Sequence, residues 1–451
     1  MSHPAVTELH SALGEAVSES PHHLAAVRSD KSGKVSSGVP LCVVFATETE
    51  QVAVALRIAN QHSVPVVARG GGSGLAGGAI GGEGEIVISL EKMNRIIEIS
   101  RADRWALVEA GVLNQDLNVA AQEQGLWFAP DPASRRWSTV GGNIATNAGG
   151  LLCVKYGVTR EAVLELTVVL ADGEIMRVGH RTVKGVTGFD LASLFVGSEG
   201  TLGIITEARV ALRPVDPNPI WTISGIAPDI RSATDAVQET IRLGHQPSIL
   251  ELLDERSSGY IAKHLGRDDL PEGVVHLIAQ TDGAGAQAMA EEIGELWKTC
   301  GLEVSIDTGR DDLIAFRRAF HPALEKLGKV LIEDVAVPRS QLGSMFAEIR
   351  KIEREYNLEI PTVAHAGDGN LHPNFIYEGD EIPERVWLAA DALFRSAVSL
   401  GGTLTGEHGV GILKSRWLKD ELGDAQWQLQ LKIKQLFDPK GILNPGKVFV
   451  T

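Results

Sequence analysis

The chain has only three cysteines, Cys42, Cys153 and Cys300, and no Cys-x-x-Cys pair. That scarcity fits a reducing compartment and excludes a disulfide framework. Positive charge is short as well: 42 Lys and Arg stand against 58 Asp and Glu, a formal net charge of −16. This argues against a nucleic-acid-binding surface, and any basic pocket must be local. No apolar run approaches the roughly 20 residues that a membrane-spanning helix needs. The opening MSHPAVTELHSALGEAVSES lacks a basic start followed by an apolar core, so no signal peptide is expected. A cytoplasmic protein is the expectation, with peripheral membrane attachment left open. No internal repeat, low-complexity segment or flexible linker stands out.

Glycine is plentiful. Its 49 copies are clustered in a chain of 451 residues, 44% hydrophobic and 22% charged. Such a chain is an ordinary soluble globular one, too long for one core, so two or more domains are expected. Clustered glycines point to backbone held close to a ligand.

After a partly helical lead-in, LCVVFAT reads as a strand, 48–63 as an amphipathic helix and VPVVARG as a second strand. EIVISL, RIIEIS and WALVEAG alternate as strands, 113–125 is a helix with a glycine C-cap, and 162–179 is a hairpin turning at Asp172-Gly173. Beyond Pro214 the order becomes β-α-β-β-α-β up to LEVSIDT, a ferredoxin-like pattern. A strand at VLIEDVAVP, helices near 339–355 and 384–399 and a last helix follow.

Three glycine-rich segments interrupt the first part. Gly72-Ser-Gly-Leu-Ala-Gly77 matches the letters of a dinucleotide fingerprint. More glycine and a strand follow it where a helix is required, which excludes a Rossmann nicotinamide site. Successive backbone N–H groups still make a phosphate nest. The stretch 130–150 reads as irregular. In it and in GSEGTLGIIT, small residues at Gly141, Gly142, Thr146, Gly149, Gly203 and Ile204 would let a flat cofactor lie against backbone, with Ser134, Thr139 and Asn143 to hydrogen-bond it. Tight turns would explain any one segment, but three in one region favour a ligand.

In VAHAGDGNLHPNF, Asp368-Gly369 is a two-residue hairpin signal. That turn would set His365 opposite His372, Cβ atoms roughly 5 Å apart, close enough to share a metal. A plain surface hairpin is the alternative.

These motifs carry a resemblance. ARGGGSGLAGG, PDPASRRWSTVGGNIATNAGG, YGVT and VGSEGTLGIITEARVALRP are similar to the FAD-binding domain of the vanillyl-alcohol-oxidase type. HAGDGNLHPNF, GTLTGEHGVGILK and DPKGILNPGKVF resemble the C-terminal region of its FAD-linked 2-hydroxy-acid dehydrogenase branch, which includes a subunit of glycolate oxidase, D-lactate dehydrogenase and D-2-hydroxyglutarate dehydrogenase. The resemblance implies an α+β fold. A two-part FAD-binding domain (1–215) is followed by a ferredoxin-like substrate or cap domain with the metal site (216–414), and 415–451 return to the FAD domain. It implies FAD contacts from Arg69, Gly70, Gly71, Gly72, Ser73, Gly74, Leu75 and Gly78. Pro130, Asp131, Gly150, Tyr156, Gly157, Glu199, Ile205 and Asn444 join the segment residues already named. Some relatives attach FAD through a histidine in the first loop. This loop has none, so the flavin is expected to be non-covalent.

In TGEHGVG, Gly406 and Gly409 flank Glu407 and His408 and permit both to face one site. Two histidines and a carboxylate make a catalytic zinc set with a fourth position open. His365, His372 and Glu407 are the expected ligands, as the resemblance also implies, and Mn²⁺ or Fe²⁺ would suit the same donors. His408 is the expected general base and Arg317 the expected partner of the substrate carboxylate. For these residues the plain alternatives are a surface carboxylate, a supporting histidine and a solvated helix charge. His321, one turn beyond Arg317, is a weaker candidate, and His10, His22, His62 and His180 have no constellation around them. The expected substrate is a D-2-hydroxy monocarboxylate such as D-lactate or glycolate, because Ile332 and Glu333 stand where hydroxyglutarate would need a cation. D-2-hydroxyglutarate is the runner-up, and Arg267 in HLGRDDLPEG has nothing to place it near the flavin. The electron acceptor is a quinone, a flavoprotein carrier or an iron–sulfur partner chain, and a homodimer is allowed. The rival classes are a metal-dependent hydrolase, a non-catalytic flavoprotein subunit and an oxygen-using oxidase.

Overall fold

A computed structural model of the chain describes residues 3–267, 273–379 and 381–450; residues 268–272 of HLGRDDLPEG lie outside them. The chain divides into two compact units. The first comprises Met1–Gly149, Val158–Val215 and Glu407–Thr451, and the second Gly150–Gly157 and Asp216–Gly406.

The first unit holds two main sheets. Cys42–Phe45, Ile86–Ser89 and Val66–Arg69 run parallel in that spatial order, with Val17–Ser18 antiparallel at one edge. Helix Thr49–His62 connects two of them and buries Val52, Ala53, Leu56 and Ala59, spaced as one face of an α-helix. The second sheet is antiparallel, in the order Ile96–Ser100, Trp105–Glu109, Ile204–Ala211, Val163–Val169, Ile175–Gly179. Side chains alternate along a strand, so Ile204 joins the hydrophobic cluster around the parallel strands while Ile205 joins that of the antiparallel sheet.

The stretch 130–150 is less irregular than the sequence suggests. Val140–Thr146 is a helix, and Thr139 caps it by accepting a hydrogen bond from Gly142 N–H at 3.1 Å. The helix from Asn114 ends at Gln122, with Gly125 (φ +70°) two residues past its cap Glu123.

In the second unit the first four strands are ordered Glu303–Thr308, Trp221–Ala227, Val275–Thr281, Ile249–Leu253, all antiparallel. That is the 4-1-3-2 arrangement of a ferredoxin-like unit. Thr362–His365, Asn370–Tyr377 and Lys329–Ile332 extend the sheet. The segment VLIEDVAVP is not one strand. Lys329–Ile332 and Val335–Ala336 both pair with Asn370–Tyr377, and the gap at Glu333 and Asp334 faces Pro373 and His372. Pro373 has no N–H to give the ladder.

A buried ion cluster braces this unit. Arg350 reaches Asp254 at 3.0 Å, Glu255 at 2.6 Å and Glu353 at 2.8 Å. Burial pushes the Asp254 carboxyl up to about 6 even beside this cation. Arg350→Met leaves the buried Asp254 carboxylate without this cation, while Glu353 keeps Arg256 at 3.1 Å. The loss expected in chemical denaturation is about 3–5 kcal/mol.

Candidate functional site

The expected two-residue hairpin turn does not form. His365 pairs with Asn370 and Val363 with His372, leaving Ala366–Gly369 as a four-residue loop. Tertiary contacts draw it aside. Gly367 N–H donates to Leu250 O at 3.2 Å and Gly369 O accepts from Val337 N–H at 2.9 Å. His365 and His372 are thus diagonal neighbours on one sheet face, with ring centroids 5.0 Å apart. Their nearest ligand nitrogens lie within 4.8 Å, and both residues are buried.

Two acids absent from the sequence reading support these rings. Glu251, on Ile249–Leu253, is 1% exposed. Its Oε1 lies 2.6 Å from His365 Nδ1, and its Oε2 accepts from Arg317 Nε–H at 2.8 Å. A carboxylate only accepts, so Nδ1 carries the proton toward Glu251, and in the neutral ring Nε2 is the ligand nitrogen. Asp334, in the gap opposite Pro373, accepts from Asn370 Nδ2 and Thr405 Oγ1, each at 2.6 Å, and lies 3.8 Å from His372 Nδ1. An imidazole whose Nδ1 is bonded to a buried carboxylate, as that of His365 is, is the usual surrounding of a metal-binding histidine. The donor set therefore fits a divalent metal. The sequence signals were there: Glu251 amid the apolar residues of SILELLD, and Glu333-Asp334 amid those of VLIEDVAV.

Arg317, on helix Asp311–Arg318, is buried rather than solvated. Its terminal amino groups carry none of the described hydrogen bonds. Thr405 and Gly406 end the second unit's segment. Gly406 must be glycine, because a Cβ there would collide with Asn370. Glu407 and His408 follow directly and belong to the first unit, their side chains 3.8 Å apart at Oε1 and Nε2.

The glycine-rich segments of the first unit divide by cause. A Cβ at Gly70, Gly71, Gly72 or Gly141 would collide with Thr139, Trp137 O, Arg69 or Ala110, and Gly203 would press on Val168. Arg69 itself braces its loop by donating to Ala79 O at 2.8 Å. Gly74 has room, the nearest atom to an added Cβ being Asp30 Oδ2 at 4.0 Å, whereas Gly142 is tight, at 3.1 Å from Thr139 Oγ1. Several of the expected residues are engaged within the protein, by side chain or by backbone carbonyl. Asn143 Oδ1 accepts from Asn114 at 3.2 Å, Thr146 Oγ1 donates to Gly142 O at 3.1 Å, and Ser134 O accepts two turn amides. Pro130 O accepts from Asn114 Nδ2 at 3.0 Å, Asp131 is buried, and Ser73 and Leu75 are half-buried. Asn444 Nδ2 donates to Gly78 O and Glu199 O, while its buried Oδ1 has no partner among the described residues. Backbone amides, the open Gly74 and this acceptor fit a flavin. Gly150, Tyr156 and Gly157 belong to the second unit, where Tyr156 O–H donates to Asp282 at 2.6 Å.

Gly142→Val tests this fit. An added Cβ would press on Thr139 Oγ1 alone, at 3.1 Å, so a small shift of that side chain should let the chain fold. Its flavin-to-protein absorbance ratio should fall roughly tenfold at limiting flavin, about 1.4 kcal/mol of binding. A colourless but unfolded product would instead mean that the site is packed.

Two family descriptions match the chain: an FAD binding domain over residues 40–179 and the C-terminal domain of FAD linked oxidases over 222–448. Glycolate oxidase subunit GlcD of Bacillus subtilis (strain 168) is 39% identical, over 91% of this chain and 89% of its own length. D-lactate dehydrogenase of Archaeoglobus fulgidus is also 39% identical, over 90% of each. Among solved structures, p-cresol methylhydroxylase with substrate bound superposes with a TM-score of 0.83 at 19% identity, covering 99% of this chain and 96% of that one. The last likeness is one of fold, and it agrees with the two-part architecture expected from the motifs. Glycine-rich loops that fit a flavin in one unit and paired histidines in the other accord with these matches, which show that the chain belongs to the FAD-linked oxidase family of flavin-dependent oxidoreductases.

Proposed function

We propose that the protein oxidises a D-2-hydroxy monocarboxylate, of the D-lactate or glycolate type, to its 2-oxo acid, with non-covalent FAD and a divalent metal, zinc by donor type, held by His365, His372 and Glu407. The observation that carries the proposal is Glu251, whose two oxygens hold His365 and Arg317 at once. One buried carboxylate thus orients a metal-type imidazole and a guanidinium together, as a substrate with adjacent hydroxyl and carboxylate groups requires. When bound, the metal supplies polarisation that lowers the hydroxyl pKa, and the flavin supplies the hydride acceptor. Arg317 binds the substrate carboxylate through its terminal amino groups, its angle fixed at Nε by Glu251. His408 takes the hydroxyl proton on an imidazole nitrogen.

The strand Lys329–Ile332 supports a small substrate. Its only cation, Lys329, lies at the start opposite Tyr377 and is exposed, while Ile332 lies opposite Asn374. A distal carboxylate beside Ile332 would be buried without a counter-charge, which is costly. The relatives' names include both classes: a glycolate oxidase subunit and a D-lactate dehydrogenase at 39% identity, and a D-2-hydroxyglutarate dehydrogenase at 31%. The electron acceptor is a quinone, a flavoprotein carrier or an iron–sulfur partner. No helix of the described residues is long and apolar enough to cross a membrane. The test is kcat/KM with an artificial acceptor across glycolate, both lactate enantiomers and D-2-hydroxyglutarate. A D-lactate or glycolate maximum is expected, and a clear preference for hydroxyglutarate would overturn the choice.

A further inference from the structure

We infer that Glu199 is a positioning residue whose carboxylate, seated on the consecutive amides of Val410 and Gly411, fixes the backbone that presents Glu407 and His408. The inference rests on the roles given to those two residues above. Resemblance places Glu199 among the flavin contacts, but both of its oxygens are occupied elsewhere. Oε1 accepts from Val410 N–H at 2.7 Å and Oε2 from Gly411 N–H at 2.9 Å. Two successive amides on one anion form a nest. Left-handed backbone at Gly409 (φ +85°) and Gly411 (φ +49°) makes it here, a conformation that favours glycine.

Both sides of this contact are held. Glu199 is itself left-handed, at φ +51°. Its N–H donates to Ala145 O at 2.8 Å, and its carbonyl accepts from Asn444 Nδ2 at 2.7 Å. Past the nest, Ile412 N–H donates to Ala76 O and Gly411 O accepts from Val448 N–H, each at 2.8 Å. Residues 410–412 are therefore tied at every position, and His408 lies two residues before them. Glu199 is 9% exposed, so its two bonds face little competition from water; the same burial raises its carboxyl to about 7, against the pull of the two amides and of Lys414. Without that carboxylate the amides of Val410 and Gly411 lose their acceptor and the approach to His408 loosens.

The test compares Glu199→Gln with the wild-type holoenzyme. Glutamine keeps the shape but turns one acceptor into a donor facing an N–H. Hydrogen exchange at the Val410 and Gly411 amides should accelerate by roughly tenfold or more. With D-lactate, kcat should fall by a similar factor while KM and flavin content stay within about twofold. Gly409→Ala strains the same nest, since its Cβ would lie 3.1 Å from Glu199 Oε1. It should reproduce the effect and be non-additive with Glu199→Gln; should the glutamine variant fail to fold, Gly409→Ala alone carries the exchange and kinetic comparison. Unchanged exchange at both amides overturns the inference. So does flavin loss in proportion to kcat, which would make Glu199 a flavin contact. If the wild type oxidises no 2-hydroxy acid, the functional proposal fails, and amide exchange still decides the anchor.

Discussion

His408→Ala is expected to lower kcat by on the order of 10²–10⁴, the range for a lost general base, with flavin and metal contents unchanged. His408 is adjacent to the proposed ligand Glu407 but outside the ligand set. Its side chain is 12% exposed, and its Nε2 lies 3.8 Å from Glu407 Oε1. A histidine that only supported the metal would behave differently, since its loss would weaken metal binding first and turnover in proportion. Anaerobic rapid mixing separates the two, because bleaching of the oxidised flavin by D-lactate reports the reductive half-reaction alone. The base role requires slow bleaching in a protein that retains its metal. Parallel loss of metal and rate would transfer His408 to a supporting role.

Glu251→Gln should weaken metal binding by about 10–100-fold, as loss of a carboxylate behind a ligating histidine does, and should raise KM for every 2-hydroxy acid. Glutamine offers one acceptor where Glu251 serves two donors, His365 Nδ1–H and Arg317 Nε–H. Whichever donor keeps the oxygen, the other meets an amide N–H. The charge also matters. Arg317 is 8% exposed, and a buried guanidinium without its counter-ion is destabilising by several kcal/mol, so the melting temperature should fall too. Titration of the metal-free, flavin-loaded protein with zinc reads the first effect directly. Unaltered zinc affinity would mean that His365 is not a ligand oriented by Glu251.

The glycine segments, the opening strand–helix–strand and the ferredoxin-like order were legible because local pattern decides them. Gly-rich runs exclude helix, and period-two alternation marks strands. The helix Val140–Thr146 escaped notice because Gly141 and Gly142 sit in its first turn, where a Thr139 cap and the close approach of Ala110 override poor propensity. The hairpin register was misread because Asp-Gly favours a two-residue turn locally, whereas Leu250 and Val337 hold the loop from strands far away in sequence. Glu251 and Asp334 were missed for a similar reason. An acid in an apolar strand looks like an exception until its neighbours are known, and those neighbours, His365 and Asn370, are 114 and 36 residues away. The roles of His365, His372, Glu407 and His408 were suggested by residue type and spacing, but the carboxylates behind the histidines emerged only from the sheet register.

The central claim is that flavin reduction by a 2-hydroxy acid depends on a metal at the paired histidines. The most direct test is the anaerobic bleaching of protein-bound flavin by D-lactate and by glycolate, before and after chelation and again after zinc is restored. The account predicts bleaching in the untreated protein with at least one of them. Bleaching should be lost after chelation with the flavin still bound, and recovered with zinc. Bleaching at an undiminished rate in protein shown by elemental analysis to hold no divalent metal would contradict it.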